Sequence, residues 1–167
     1  VCNRKINTIL EFGVGKSSII FAHALSINKL KNESFVKNNL RKNNLFQVHS
    51  IDNYQEWINE CRKNINKEYF EDGISNLHFT NLFTSEFCGR VCTFYEQLPN
   101  ISPDLIYLDG PDQFSAKDEI RGISTRNPDR FPMSGDILSL EHFLHPGTLI
   151  IIDGRTANAR FLKCNLQ

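Results

Sequence analysis

The chain has 167 residues, 40% of them hydrophobic, with 19 acidic and 19 basic side chains and no net charge. That length fits one domain with enough apolar material for a core, and zero net charge gives no general attraction for nucleic acid. No apolar run approaches the ~20 residues that span a bilayer, so neither nucleic acid nor membrane is expected as a partner. The odd set of Cys2, Cys61, Cys88, Cys92 and Cys164 contains one close pair, Cys88 and Cys92, with no second pair beside it. Zinc is disfavoured, and free thiols in a reducing, cytoplasmic compartment are the expectation.

Ile6 to Glu11 reads as a first strand. Two glycines, Gly13 and Gly15, follow, and Ser17 to Ile27 reads as a helix apolar on several sides. Lys29 to Asn44 is polar and basic and reads as a second helix plus a loop, with a solvated face. Leu45 to Ile51 is a second strand ending at Asp52. Asn53 then caps a helix, with Glu56 three residues on. Tyr54, Trp57, Ile58, Cys61 and Ile65 share one face of it at helical spacing.

Leu77 to Phe83 reads as a third strand, and Arg90 to Tyr95 as a short strand, with a helix as the alternative. Asp104 to Leu108 is an apolar strand that runs into Asp109-Gly110-Pro111-Asp112. Gln113 to Met133 is a long polar loop, a length that in a compact domain is usually functional or disordered. Ser134 to His145 reads as a helix stopped by Pro146-Gly147. Thr148 to Ile152 is a wholly apolar strand, expected to be buried on both faces. It ends at Asp153-Gly154, and Thr156 to Leu166 begins another helix. Strands alternating with helices predict a single α/β domain over 1–167: a doubly wound, mainly parallel sheet with helices on both faces.

The first turn carries the most information. Backbone N–H groups at a helix start favour a negative ligand group, and glycine lets a ligand approach closely. Gly15-Lys16-Ser17 supplies the end of a phosphate loop, but that motif needs a glycine where Leu10 stands inside the strand. A dinucleotide fingerprint fits Gly13 and Gly15 but meets Ser18 at its third glycine. The remaining readings are E-x-G-x-G, from Glu11, and an ordinary turn that binds nothing.

Four acids stand at strand ends: Glu11, Asp52, Asp109 and Asp153. Ligands of an open parallel sheet bind outside the carboxyl ends of its strands, so all four are expected near one edge, although an acid that only caps the next helix is the alternative for each alone. A carboxylate after the second strand, here Asp52, can accept hydrogen bonds from both hydroxyls of a ribose. The spacing from Gly15 to Asp52 exceeds the usual ~20 residues, and the basic segment 29–44 accounts for the excess as an insertion.

In this order the motifs resemble those of the class I S-adenosylmethionine-dependent methyltransferases, a Rossmann-like family. Glu11-Phe12-Gly13-Val14-Gly15-Lys16-Ser17 resembles its motif I, Asp52 the acid of motif II, and Asp104 to Gly110 its motif IV. Phe143 to Asp153 resembles its Pro-Gly turn into strand five. The resemblance implies S-adenosylmethionine as cofactor. Gly13 and Gly15 would lie by its methionine part, Ser17 would also bind the cofactor, Glu11 would orient the turn or reach the amine, and Asp52 would hold the ribose. Asn53 would lie beside the adenosine and Asn81 near adenine.

The family also has a final antiparallel strand pair after the helix near Thr156, so the resemblance implies a domain whose C-terminal strands are missing here. Segment 84–98 is too irregular for the family's helix before strand four. Catechol-type members hold a divalent cation with acids matching Asp109 and Asp153, but Gly154 replaces the accompanying Asn. No metal is therefore expected, and Asp109 and Asp153 are the catalytic candidates.

The expected activity is methyl transfer to an oxygen of a small molecule or saccharide. An NAD-dependent oxidoreductase or epimerase, and a non-catalytic scaffold of the same fold, are the alternatives. The loop with Asp112, Lys117, Asp118, Glu119, Arg121, Arg126 and Arg130 is expected either to close over an acceptor, its arginines meeting a carboxylate or phosphate, or to be solvated. His49 and His78 are expected to be structural, and His142 and His145 to lie on a helix surface. The oligomeric state stays open.

Overall fold

The computed structural model describes residues 1–112, 114–129, 133–154 and 156–167. Five strands form one parallel sheet: β1 (Thr8–Phe12), β2 (Gln47–Asp52), β3 (Ser75–Phe79), β6 (Leu105–Leu108) and β7 (Leu149–Ile152). Their order is β3-β2-β1-β6-β7, so β1 lies at the centre. The chain winds outward from β1 to one side through β2 and β3, then returns to the other side of β1. A crevice opens where the order reverses, between the carboxyl ends of β1 and β6. A separate antiparallel pair, β4 (Leu82–Phe87) and β5 (Arg90–Tyr95), packs over the sheet.

Side chains alternate along β1 and sort the core into two faces. Ile9 packs with Ala22 and Leu25 of α1 (Lys16–Asn39). The same side carries α2 (Gln55–Asn64) and α3 (Lys67–Glu71), with Ile58, Cys61 and Ile65 buried against Val14. Leu10 and Phe12 face the other way, with Ile106 and Leu108 of β6. Leu82, Cys92 and Tyr95 of the hairpin cover them, with Ile137 and Leu138 of α4 (Asp136–Leu140) and Phe161 and Leu162 of α5 (Thr156–Asn165). Phe12 and Tyr95 stack, ring centroids 5.9 Å apart.

Several elements differ from the sequence expectation. The first helix does not stop at Ile27 but runs unbroken to Asn39, because no glycine or proline interrupts 16–39. Its polar second half is a solvated helix face, with Lys37 paired to Glu33 one turn back. The expected strand from Leu77 to Phe83 is two strands. β3 ends where the Thr80 N–H bonds the Asp52 carbonyl, and the chain then turns into β4. The β4–β5 connection is Cys88-Gly89, both with positive φ, the turn whose twist suits a two-residue hairpin. This hairpin stands where the resemblance implied a helix or an irregular segment.

The helix expected over 134–145 is shorter: α4 ends at Leu140 and a 3-10 turn, Glu141–Phe143, follows. β7 is not buried on both faces. It is an edge strand among the described residues, and Ile151 is 40% exposed. No described helix is long and apolar enough to cross a membrane.

Candidate functional site

The glycine turn between β1 and α1 is fixed by contacts that sequence alone does not reveal. Gly13 has φ +101°, a left-handed value that side chains rarely adopt. A Cβ there would lie 3.0 Å from the Gly110 nitrogen, and one on Gly110 would lie 3.0 Å from the Gly13 nitrogen. The β1–α1 turn and the Asp109-Gly110 turn are thus pressed backbone to backbone, with the Asp109 N–H bonded to the Phe12 carbonyl at 2.9 Å. At Gly15 a Cβ would meet nothing within 4 Å, so the turn faces open space there.

That space is a cavity of about 530 Å³ at the carboxyl edge of the sheet. Gly13, Val14 and Gly15 line it from the β1–α1 turn, and Gly110 and Pro111 from the turn pressed against it. Asp52, Asp109 and Asp112 supply three carboxyl groups, and no described Lys, Arg or His lines it. Tyr54 and Trp57 form an aromatic rim, 39% and 59% exposed. Both fall on the apolar face of α2 expected from spacing, but only the later part of that face (Ile58, Cys61, Ile65) is buried core. The first turn overhangs the cavity instead.

Asp52 is the hub of the site. One carboxyl oxygen accepts the Val14 N–H of the glycine turn at 2.7 Å, and the other accepts the Tyr54 N–H at 2.8 Å. The N-cap of α2 is Tyr54, not Asn53, and Asp52 holds the Tyr54 N–H and so ties that helix start to the turn. Burial raises its pKa, against the pull of the Val14, Tyr54 and Asn53 amides. A carboxylate oxygen accepts more than one hydrogen bond, so both oxygens keep capacity for a ligand. Asn53 donates from its amide to the Ser115 hydroxyl, binding the β2–α2 corner to the loop after β6, and its Oδ1 is buried without a partner.

Glu11 lies beneath the turn, fully buried. Its Oε2 accepts the Ser18 hydroxyl at 2.6 Å and the Ser50 hydroxyl at 2.5 Å, while Oε1 has no hydrogen-bond partner. Ser18 in turn accepts the Gly15 N–H at 3.1 Å. Burial pushes the Glu11 pKa up to about 7, opposed by Ser17, Ser18 and Ser50 and assisted by Asp109. The first turn of α1 thus meets an acid of its own chain from below. Ser17 is half-buried and does not line the cavity.

Of the nine residues singled out from sequence, Gly13, Gly15, Asp52 and Asp109 line the cavity. Glu11 lies below it, and Asn53 flanks Asp52. Asn81 is elsewhere, its amide donating to Glu96 at 2.8 Å. Asp153 is exposed at the end of β7, the strand beside Asp109, and does not line the cavity. Tyr107 of β6 feels the acids together: burial raises its pKa first, then Asp109, Asp153 and Glu11. Among the described residues, no cluster of three His, Cys, Asp or Glu side chains is arranged to hold a metal.

No family model, curated protein or solved structure matches the chain.

The loop after β6 lies along the hairpin. The Lys117 N–H bonds the Leu82 carbonyl, and its carbonyl accepts the Thr84 N–H, both at 2.8 Å. Arg126, expected either to meet an acceptor or to be solvated, is used inside the loop: it bonds the Ala116 carbonyl at 3.0 Å and Glu119 at 2.7 Å. Lys117 pairs with Glu96 at 3.6 Å. Arg130 lies outside the described residues. His49 and His78 form a stacked pair, nitrogens 3.0 Å apart. Burial, then His78, pushes the His49 pKa down to about 4, and burial lowers that of His78.

Sequence reasoning missed Tyr54, Trp57 and Asp112 as lining residues. The signal was present for the aromatics, since an apolar face that begins directly after a strand-end acid starts at the ligand edge of the sheet.

Proposed function

We propose that the chain is an S-adenosylmethionine-dependent methyltransferase with a Rossmann-like fold, acting on an oxygen of a small molecule or saccharide. The observation that carries the reading is the charge of the cavity. A glycine turn alone would suit several cofactors, but Asp52, Asp109 and Asp112 surround this one. A pyrophosphate would meet the Asp52 and Asp112 carboxyl groups, and at the helix start that would attract it the Gly15 N–H is already held by Ser18. A cofactor that bears a sulfonium and an ammonium is favoured by the same groups. This counts against a nicotinamide dinucleotide, as does Ser18 in place of the third glycine.

The residues fit such a cofactor part by part. Gly15, with open space beyond its Cα, admits the methionine portion close to the backbone. Asp52 keeps acceptor capacity on both oxygens for the two ribose hydroxyls. Tyr54 and Trp57 offer apolar faces to the base, with Asn53 beside them. Glu11, fully buried beneath the turn, adds negative charge there only above its raised pKa of about 7.

When bound, the cofactor supplies an electrophilic methyl group. The chain's part is alignment and proton removal. Asp109 lines the cavity and is the group placed to orient an acceptor hydroxyl and take its proton. Asp153, exposed at the neighbouring strand end, adds negative charge at the same edge.

A thermal-shift panel tests the reading. S-adenosylhomocysteine should raise the melting temperature and NAD should not. Stabilisation by NAD alone would reverse the assignment.

A further inference from the structure

A second cleft, of about 320 Å³, shares no lining residue with the strand-end cavity and lies between the start of β5 and α5. Met133, Ala157 and Phe161 give it an apolar floor, and Arg90 and Arg160 stand at its rim with Cys164 and Asn165. We propose that this cleft binds a small amphipathic anion, an apolar body with one carboxylate, independently of the strand-end cavity.

Three observations support the assignment. Neither arginine forms an ion pair among the described residues, and the five residues outside the description include no Asp or Glu. Two guanidinium groups beside one apolar cleft, with no acid of the chain to neutralise them, are set for an external anion. Arg90 is also held in place: its guanidinium donates to the Asn165 side-chain oxygen, and the Asn165 amide donates to the Phe161 carbonyl at 2.6 Å. A bracing partner that is neutral fixes the group without consuming its charge. Finally, the volume suits a small apolar body, since ligand sites begin at about 300 Å³.

Cys164 provides a reporter. It is an exposed free thiol in the cleft, and Cys2 is an exposed free thiol far from it in sequence and outside its lining. Decanoate is the probe, with decanol as the uncharged control. Decanoate should slow iodoacetamide labelling of Cys164, read peptide by peptide, and leave Cys2 unchanged. Decanol should protect at least about tenfold less well, because it cannot make the charge-assisted bonds. Arg160→Gln and Arg90→Gln should each weaken protection about tenfold, with circular dichroism unchanged. Decanesulfonate in place of decanoate separates a carboxylate site from a general anion site, and stronger protection by the sulfonate would overturn the carboxylate assignment. Equal protection by decanol, protection of Cys2 to the same degree, or no saturable protection would overturn the proposal. None of these outcomes depends on S-adenosylhomocysteine binding, so the two readings fail separately.

Discussion

Two buried carboxyl groups, one on each face of the sheet, make an instructive contrast. Glu11 lies under α1, and Asp136 lies at the start of α4 under the hairpin; both are at most 1% exposed, and burial pushes both pKa values up to about 7. Asp136 is fully used: Oδ1 accepts the Tyr95 N–H at 3.1 Å and Oδ2 accepts the Ser134 hydroxyl at 3.0 Å. Ser134 then donates its N–H to Asn158 of α5 at 3.1 Å, so one carboxyl joins β5, α4 and α5. Glu11 has one oxygen committed and one unpartnered. Equal burial therefore serves different ends. Asp136 fastens its elements with both oxygens, whereas Glu11 joins β1, α1 and β2 through one oxygen and leaves the other without a partner.

The largest expected effect breaks the fastening. Asp136→Ala leaves the Tyr95 N–H and the Ser134 hydroxyl buried without their acceptor. At ~1–3 kcal/mol for each stranded group, the loss should be about 3 kcal/mol in a urea melt. Cofactor affinity of the protein that remains folded should not change. A matching loss of affinity would show that the two acids are not functionally distinct.

The next sharpens the contrast through pH. The folded pKa of Glu11 is about 7 against an ordinary 4.5, so the native state holds a proton that the unfolded state has released between those values. Stability from this group is therefore greatest at acid pH, falls as pH rises from about 4.5 to 7, and levels above. His49 works in the opposite direction, its folded pKa being about 4, and Asp136 in the same one, so the wild-type slope mixes several groups. The difference between Glu11→Gln and wild type isolates it. From pH 5 to pH 8 the variant should gain relative stability, on the order of 3 kcal/mol at most. Asp136→Asn should show the same trend, whereas only Glu11→Gln should weaken cofactor binding. Parallel pH curves for Glu11→Gln and wild type would contradict the raised pKa.

Asp52→Ala should have a smaller effect on stability and a clear one on binding. Removing the acceptor of the Val14 and Tyr54 amides should cost about 1–2 kcal/mol, because the cavity admits water to both. Cofactor affinity should fall at least tenfold, equivalent to ~1.4 kcal/mol. A melt and a binding titration on the same preparation measure both. The smallest effect belongs to Arg126→Ala. Its guanidinium is half-exposed and spent on Glu119 and Ala116, so the change should be within about 1 kcal/mol, with KM for any acceptor unaltered.

How far the sequence led follows from the same residues. β1, the glycine turn and the strand-end acids were legible because their signals are local: an apolar run, two glycines and an acid at each strand end. The parallel sheet followed from the alternation of elements. Of the hairpin, β5 was legible as the β-branched and aromatic run Arg90–Tyr95, but its pairing with β4 was not, since Cys88 adopts positive φ where sequence gives no reason for it. Nor was the environment of Glu11. A strand-end acid reads as solvent-facing, and only the course of α1 over it, with Ser18 and Ser50 converging from two elements, makes it buried. Asp52 was legible as an acid at the carboxyl edge of the sheet, but its bonds to Val14 and Tyr54 depend on how α2 meets the turn.

The central claim is that the acidic cavity over the glycine turn holds S-adenosylmethionine. Isothermal titration of S-adenosylhomocysteine into the wild-type protein tests it most directly, with Asp136→Asn and Asp52→Ala in parallel. The account predicts saturable one-to-one binding, unchanged in Asp136→Asn and at least about tenfold weaker in Asp52→Ala. A folded wild-type protein that gives no binding heat, or a folded Asp52→Ala protein that binds as tightly as wild type, would contradict it.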